Sequence, residues 1–224
     1  MAFIRSELKY TIEPAQDDDL PQILDIYTYY VLNTTISLLI HKPDLSYISD
    51  RYHQSREVGL PYLVAVADPV TRAEAVTDDP LQMHRRVLAY IYTLPFSATK
   101  LGYAPSVELT LYVHHKYLGR GVGRAMMTKL IIALSSCRYQ PYETGAEHLA
   151  SVVKVRNLYA ICSTDLAELD EHENEVVKDG WRARGEKTMC WYEQLEFQNL
   201  GRLKAVGEKL GRSIDVTYLC KNLE

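Results

Sequence analysis

One stretch of the chain, residues 107–133, constrains the fold more than any other because it specifies three elements in a fixed order. It reads VELTLYVHHKYLGRGVGRAMMTKLIIA. Its first part alternates apolar and polar side chains, which is typical of a half-buried β-strand. Glycines then recur at Gly119, Gly121 and Gly123, and the apolar residues that follow have helical spacing. The stretch therefore predicts a strand, a glycine-rich turn and an apolar-faced helix.

The glycine-rich turn is suited to hold a phosphate, because backbone N–H groups at a helix N-terminus attract anions and two arginines, Arg120 and Arg124, flank this turn. A dinucleotide-binding loop requires G-x-G-x-x-G, but its last position falls here on Arg124 or Met126. A Walker A loop requires Gly-Lys-Ser/Thr, whereas Arg124 and Ala125 follow Gly123. Two interpretations remain. The turn holds a pyrophosphate arm by consecutive backbone amides, as in acyl-CoA binding, or it has no ligand.

The bulk composition is that of an ordinary globular protein. The chain has 224 residues, of which 47% are hydrophobic and 24% charged, and this fits one domain with a substantial core. A net charge of −4 argues against broad nucleic-acid binding. The sequence contains no apolar run of about 18 residues, so no membrane span is expected, and the N-terminus lacks a secretory h-region. The four cysteines lack zinc-site spacing and are expected to be reduced thiols of the cytoplasm: Cys137, Cys162, Cys190 and Cys220.

Hydrophobic periodicity elsewhere predicts a single mixed α/β domain over residues 1–224. Further strands are expected at 10–13, 62–67, 87–93, 155–162, 197–206 and 213–220. Helices are expected at 20–33, which aspartates 17–19 would cap, and at 47–58, 147–153 and 187–195. Two polar stretches, at about 70–86 and 139–186, are interpreted as insertions. The second contains an acidic run at 165–178, for which we expect a solvated surface rather than a carboxylate metal site.

Five segments then occur in a collinear order that is typical of one enzyme superfamily. They are IEPAQDDDLPQILDIYTYYVLNTT, LPYLVAVAD, VLAYIYTLPF, VELTLYVHHKYLGRGVGRAM and WYEQLEFQNLGRLKAVGEKLGRSIDVTYLCKNL. Together they resemble the GNAT superfamily of acetyl-CoA-dependent N-acetyltransferases, and more narrowly phosphinothricin acetyltransferase and its amino-acid N-acetyltransferase relatives. The resemblance implies a mixed, mostly antiparallel central sheet that is flanked by helices and splayed between its fourth and fifth strands.

The resemblance also implies a reaction, the direct transfer of an acetyl group to the amine of a small amino acid or analogue of the phosphinothricin or methionine-derivative type. The incoming ammonium must first lose a proton, and a shielded carboxylate can take it. Glu108 matches the position of the family's general base, although pattern alone favours a solvent-facing strand residue. Tyr192 matches the acid that protonates the leaving thiolate; the alternative is a helix residue packed on the sheet.

The remaining site residues also follow from the resemblance. Acetyl-CoA, as co-substrate, is expected to contact Leu111, Tyr112, Val113, Gly119, Arg120, Gly121, Val122, Gly123 and Arg124. The amine substrate is expected to contact Asn33, Thr34, Thr35 and Tyr103, although the first three equally fit a plain turn. Three departures stand out. Leu118 replaces the usual Gln or Arg, the Arg and Trp usual before the catalytic strand are absent, and the CoA-contacting Asn has no counterpart except Asn174.

Other functions stay open at this point. The amine could belong to a polyamine, an aminoglycoside or a protein N-terminus, and the acidic run could supply carboxylates for a polycation. A catalytically silent CoA-binding module is the alternative from another class. No metal is expected, since the adjacent His114 and His115 should point apart on an extended chain. The resemblance implies a cytoplasmic homodimer that binds a small molecule and neither nucleic acid nor membrane.

Overall fold

The computed structural model describes residues 8–68, 85–97, 100–142, 151–164 and 182–224. Within these ranges the helices are α1 Leu20–Asn33, α2 Leu45–Glu57, α3 Val122–Ser135 and α4 Arg182–Glu193. The strands are β1 Tyr10–Pro14, β2 Tyr62–Ala67, β3 Val87–Pro95, β4 Ser106–Val113, β5 Arg138–Tyr139, β6 Val153–Lys154, β7 Asn157–Thr164, β8 Gln198–Lys209 and β9 Arg212–Asn222.

Seven of these strands form one sheet in the order β1-β2-β3-β4-β7-β9-β8. Every neighbouring pair is antiparallel except β4 and β7, which run parallel. The parallel pairing covers only Ser106 to Leu109 of β4, opposite Asn157 to Ala160 of β7. Beyond these residues the two strands separate. The predicted mixed, mostly antiparallel sheet and its splay between the fourth and fifth strands are therefore confirmed.

The sheet carries a hydrophobic core on each face. On one face Met126, Leu130 and Leu134 of α3 are fully buried. On the other face α1 and α2 cover a core that is rich in tyrosine, in which the rings of Tyr62 and Tyr92 stack with centroids 4.7 Å apart. Large aromatic rings bury much apolar area and gain from ring contacts. Much of the high tyrosine content of the chain therefore serves this second core.

Several sequence-based boundaries need correction. The helix predicted at 147–153 is wrong in its described part, since Val153 lies in β6 and pairs with Tyr139. Strand β7 begins at Asn157, two residues later than expected, and α4 begins at Arg182, five residues earlier. The acidic run at 165–178, Asn174 within it, and most of the stretch at 70–86 lie outside the described residues.

The carboxylate of Asp19 does not cap α1 as predicted. It is fully buried and accepts hydrogen bonds from the Gln16 backbone N–H at 2.9 Å and from Arg85 Nε at 2.6 Å and Nη2 at 3.0 Å. Arg85 also pairs with Glu13. A buried carboxylate is costly without a partner, and Arg85 supplies one. Because Arg85 lies just before β3, this ion pair ties the start of α1 to the start of that strand.

Replacement of Arg85 by glutamine is therefore expected to lower the free energy of unfolding by about 2 kcal/mol, since it leaves Asp19 buried without its cation. Chemical denaturation measures this difference. The double variant Arg85→Gln with Asp19→Asn should recover part of the loss. If the two single losses simply add, the ion pair does not contribute as described.

Candidate active site

Strand β4 presents different side chains to the two faces of the sheet. Leu109 belongs to the core under α3, and Leu111 and Val113 pack against it. Tyr112 packs against the tyrosine-rich core under α1 and α2. Because side chains alternate along a strand, Glu108 lies on the same face as Tyr112. The sheet thus directs one carboxylate toward α1 and α2, at the point where β4 and β7 begin to separate.

A cavity of about 480 Å³ lies at this separation. Leu111 and Tyr192 line it from the α3 face, and Tyr47 and Arg51 line it from the α1–α2 face. Glu108 also lines it. Because residues of both faces contribute, the cavity crosses the sheet through the gap between β4 and β7. Two ligands that enter from opposite faces could therefore meet beside Glu108.

Glu108 is electrostatically suited to accept a proton. Its side chain is partly buried, and this desolvation raises the pKa of the carboxyl above its ordinary value of 4.5. The described part of the chain provides neither a hydrogen bond nor an ion pair to this carboxylate. A base with a raised pKa and no competing partner can take up a proton from an amine in the cavity.

Tyr192 lies on α4 and is buried, with its ring edge-on to Phe197 at a centroid distance of 5.0 Å. Burial, together with the nearby Cys162, raises the pKa of this tyrosine well above its ordinary value of 10.0. Its hydroxyl therefore stays protonated and can donate a hydrogen bond into the cavity. Burial also raises the pKa of the Cys162 thiol to about 12, which disfavours a thiolate nucleophile there.

The glycine-rich turn leads directly into α3. Gly121 is the N-cap of this helix and has a φ of 80°, in the left-handed region that favours glycine. A Cβ on Gly123 would lie 3.5 Å from Val113 Cγ2 and 3.9 Å from Trp191 Cζ2, which are ordinary contact distances, so the first turn of the helix lies close to the end of β4. Free backbone N–H groups are consequently brought beside the splayed strand edge.

The two arginines of this turn are exposed. Arg124 Nη2 donates to Gln194 Oε1 at 2.9 Å, and the guanidinium of Arg120 lies 5.6 Å from the ring centroid of Tyr117. Neither contact covers the backbone N–H groups of the turn, and both cations lie near the N-terminus of α3. Their predicted contact with a cofactor phosphate, like that of Val122, stays a prediction.

The four residues predicted to bind the amine substrate do not line the cavity. The side chains of Asn33 and Thr34 donate to backbone carbonyls four residues earlier, at 2.8 and 2.7 Å. The carbonyl of Thr35 accepts a hydrogen bond from Ser163 Oγ at 2.8 Å, and Tyr103 is 47% exposed. Their part in substrate binding stays a prediction. From the same loop, the residues that line the cavity are Ile36, Ser37 and Leu38.

Sequence reasoning missed the aromatic wall of the cavity and Arg51. The pattern did contain a signal: Tyr90 and Tyr92 alternate on β3, so both point to one face of the sheet. Tyr47 and Arg51 are four residues apart on α2, so their side chains are neighbours on one helix face. Sequence alone did not reveal that this helix face meets that side of the sheet.

His114 and His115 differ from the prediction that they point apart. The chain turns at this point, their rings stack with centroids 4.5 Å apart, and His115 also stacks on Tyr29 at 3.9 Å. Burial lowers the pKa of His114 to about 4. Among the described residues, no group of His, Cys, Asp and Glu side chains is arranged to hold a metal ion. No described helix is long and apolar enough to cross a membrane.

Comparison with known proteins agrees with this geometry, although no family model matches the chain. The chain is 26% identical over 213 residues to a phosphinothricin N-acetyltransferase of Alcaligenes faecalis, covering 95% of the chain and 82% of that relative. It is 30% identical over 126 residues to a second one, from Streptomyces coelicolor, covering 56% of the chain and 65% of that relative.

A solved structure matches over nearly the whole chain. It is a GNAT superfamily phosphinothricin acetyltransferase from Sinorhizobium meliloti in complex with acetyl-CoA, with a TM-score of 0.67 at 20% identity, covering 95% of this chain and 88% of that one. The chain therefore has the fold of the GNAT acetyltransferases. More narrowly, it resembles the phosphinothricin N-acetyltransferases, as the five collinear segments predicted.

Proposed function

We propose that this chain is an acetyl-CoA-dependent N-acetyltransferase that acts on the amino group of a small amino acid or analogue, of the phosphinothricin or methionine-derivative type. One observation carries the proposal. Glu108, a carboxylate with a raised pKa and no partner among the described residues, lines a cavity that crosses the sheet where β4 and β7 separate. The similarity to phosphinothricin N-acetyltransferases supports the same activity.

The splayed strands fit acetyl-CoA as the acetyl donor. Beyond Leu109, the edge of β4 that faces β7 has no strand partner in the described part of the chain. Backbone groups of Leu111 and Val113 on that edge can pair with an extended, amide-bearing ligand, as a neighbouring strand would, although the Val113 carbonyl also accepts a hydrogen bond from the Tyr30 hydroxyl at 2.5 Å. The contact predicted for Tyr112, which lies opposite Tyr90 of β3, stays a prediction. Backbone N–H groups from Gly119 to Arg124 would hold the pyrophosphate at the N-terminus of α3. When bound, acetyl-CoA supplies a thioester whose acetyl group an amine can attack.

The chain's own residues would then act on the proton and the developing charge. Glu108 takes a proton from the ammonium of the substrate, directly or through a water, which frees the nitrogen lone pair. The backbone N–H near Val113 can stabilise negative charge on the carbonyl oxygen under attack. As the C–N bond forms and the C–S bond breaks, Tyr192 would pass a proton to the leaving sulfur and regain one from the nitrogen, which loses its extra proton to become the amide. No covalent bond to the protein forms, so the high pKa of the Cys162 thiol is no obstacle.

The charges on the cavity wall disfavour a polycationic substrate. Among the described residues that line the cavity, Glu108 is the one carboxylate and Arg51 the one cation. A polyamine or an aminoglycoside would need several carboxylates and would be repelled by an arginine. An amine that carries its own negative charge complements the two side chains better.

The assay that tests the proposal measures the release of free CoA thiol from acetyl-CoA over a panel of amines, which includes phosphinothricin, methionine derivatives, polyamines and a peptide with a free N-terminus. We expect turnover with the amino-acid analogues. Turnover with polyamines alone would show that the substrate is a polyamine and that the amino-acid proposal is wrong. Thermal stabilisation by acetyl-CoA without turnover of any amine would favour the catalytically silent module.

We also propose that the chain forms a cytoplasmic homodimer through β8. This strand lies at the edge of the sheet. Two of its apolar side chains and one that directly follows it are about half exposed: Leu203 at 48%, Val206 at 52% and Leu210 at 59%. These exposed apolar side chains can pack against the same surface of a second copy across a two-fold axis. The four cysteines are free thiols, which fits a reducing compartment.

The double variant Leu203→Glu with Val206→Glu is expected to be a monomer, because it places like charges on the proposed two-fold contact. Light scattering after size-exclusion chromatography gives the mass of each form. Ile132→Glu is the matched control, since Ile132 is 60% exposed on α3, on another surface. A wild-type chain that is monomeric at micromolar concentration would refute the dimer.

A further inference from the structure

Arg51 projects from α2 into the cavity on the same face of the sheet as Glu108. Its guanidinium carbon lies 3.4 Å from the ring centroid of Tyr47, and its Nη1 donates to the backbone carbonyl of Tyr47 at 3.0 Å. A guanidinium stacked on an aromatic ring keeps its outer N–H edge available. Arg51 is thus a half-buried cation that is held in place by one neighbour.

This cation has no carboxylate partner in the described part of the chain. Other arginines differ: Arg85 pairs with Asp19 and Glu13, and Arg202 pairs with Asp215. Arginine carries five N–H donors, and the contact to Tyr47 uses one of them. A partly buried guanidinium gains from an anionic partner, and a carboxylate matches its two parallel donors. The donors that Tyr47 leaves unused therefore suit a carboxylate.

The ring under Arg51 is itself held rigidly. The rings of Tyr27 and Tyr47 stack with centroids 5.5 Å apart and an interplanar angle of 7°, and their hydroxyls lie 3.3 Å apart. The Tyr27 hydroxyl also shares a hydrogen bond of 3.0 Å with Ser37 Oγ, from the loop that lines the cavity. Tyr47 therefore gives Arg51 a fixed support, which lowers the entropy that Arg51 loses when it binds a ligand.

We propose that Arg51 binds the carboxylate of the substrate and so restricts this site to amines that carry a carboxylate, namely α-amino acids and their analogues. The inference rests on the proposed acetyl transfer, because it places the substrate's amino group at Glu108. Tyr92, which also lines the cavity, lies within electrostatic range of both charges. Burial chiefly raises its pKa to about 12, while Arg51 lowers this pKa and Glu108 raises it. Because Arg51 and Glu108 line the same cavity, one small zwitterion can face both groups.

The test compares Arg51→Gln and Arg51→Lys with wild type on two substrates, an amino acid that the wild type acetylates and its carboxamide. Arg51→Gln is expected to raise KM for the amino acid about 30-fold, with kcat changed less than about threefold, because a charged hydrogen-bonded contact is lost from the bound substrate. KM for the carboxamide should stay unchanged. Arg51→Lys keeps the charge but not the paired donors, so its KM for the amino acid should lie between those of wild type and Arg51→Gln.

Arg56→Gln is the matched control. Arg56 lies on the same helix, 5.4 Å from the ring centroid of Tyr52, and is not part of the cavity wall. Its substitution should leave both KM values unchanged. Calorimetry of the amino acid with the protein, without acetyl-CoA, supplies a readout that needs no turnover. Binding that Arg51→Gln weakens supports the inference even if no amine is acetylated, in which case only the proposed function fails.

Equal KM and equal binding of the amino acid in wild type and Arg51→Gln would overturn the inference, as would a wild type that accepts acid and carboxamide equally well. If Arg51→Gln does not fold, as judged by thermal unfolding, Arg51→Lys and Tyr47→Leu decide the question. Each of these variants should still raise KM for the amino acid and spare the carboxamide.

Discussion

Replacement of Glu108 by glutamine is expected to lower kcat/KM about 1,000-fold, within the range that general-base catalysis contributes. Glutamine keeps the shape of the side chain but cannot take a proton from the ammonium. Initial rates of CoA-thiol release at saturating acetyl-CoA measure the effect. The dissociation constant of acetyl-CoA should not change, since Glu108 lies on the substrate side of the gap. A variant with full activity at every pH would show that Glu108 is not the base.

The pH dependence sharpens this expectation. The carboxylate is the active form, so the wild-type rate should fall as the pH decreases through the pKa of Glu108, which burial raises above 4.5. This limb of the profile should disappear in Glu108→Gln. Activity that declines identically in both proteins would assign the limb to another group. Tyr92, Cys162 and Tyr192 on the cavity wall could not supply it, because burial raises the pKa of each far above this range.

Loss of activity in Glu108→Gln should not come from unfolding. Because the folded state raises the pKa of Glu108, it binds the proton more tightly than the unfolded chain does. The free energy of unfolding therefore falls as the pH rises from below 4.5 through the raised pKa, and ionised Glu108 destabilises the fold at neutral pH. Glu108→Gln should be at least as stable as wild type in thermal unfolding at pH 7.

Replacement of Gly121 by valine is expected to weaken acetyl-CoA binding by about 100-fold or more. A β-branched residue at a φ of 80° is strained, and relaxation of that strain turns the backbone N–H groups away from the pyrophosphate. Isothermal calorimetry with acetyl-CoA measures the dissociation constant directly. The rate at saturating acetyl-CoA should fall much less than the affinity.

Gly121→Asn is the matched variant for this position. A Cβ on Gly121 would meet no atom within 4 Å, so both substitutions place a side chain in open space. Asparagine tolerates the left-handed conformation and should weaken binding less than about tenfold. Equal weakening by both variants would point to obstruction by the side chain. Wild-type affinity in Gly121→Val would mean that the amides of this turn do not hold the cofactor.

Local patterns were sufficient for much of the fold. Strand β2 was predicted at its observed bounds, and α1 begins and ends as expected, because alternation and helical spacing depend on neighbouring residues. The errors occur where distant segments decide the structure. Val153 is in a strand only because Tyr139 pairs with it, and β7 starts at Asn157 because Ser106 of β4 lies opposite. No periodicity within one segment encodes such a pairing.

The residues of the candidate site also fall into those that a local segment predicts and those that depend on distant segments. The glycine-rich turn was recognised from the pattern of one continuous stretch, whereas the role proposed for Glu108 came from the family resemblance, since pattern alone favoured a solvent-facing residue. Arg51 was not foreseen because its position depends on how α2 packs over the sheet, which a polar helix face does not reveal. The turn at Asn33, Thr34 and Thr35 was predicted to bind the substrate, but Ser37 just after it lines the cavity, while the side chains of Asn33 and Thr34 bond to their own helix.

The most direct test of the account is product analysis after one turnover, with equimolar protein and acetyl-CoA and an excess of the amino acid. Mass spectrometry should find the N-acetylated amino acid and free CoA in equal amounts with wild type, neither with Glu108→Gln on the same time scale, and no acetyl group left on the protein. An acetylated protein without the acetylated amino acid, or equal product from Glu108→Gln, would contradict direct transfer at this cavity.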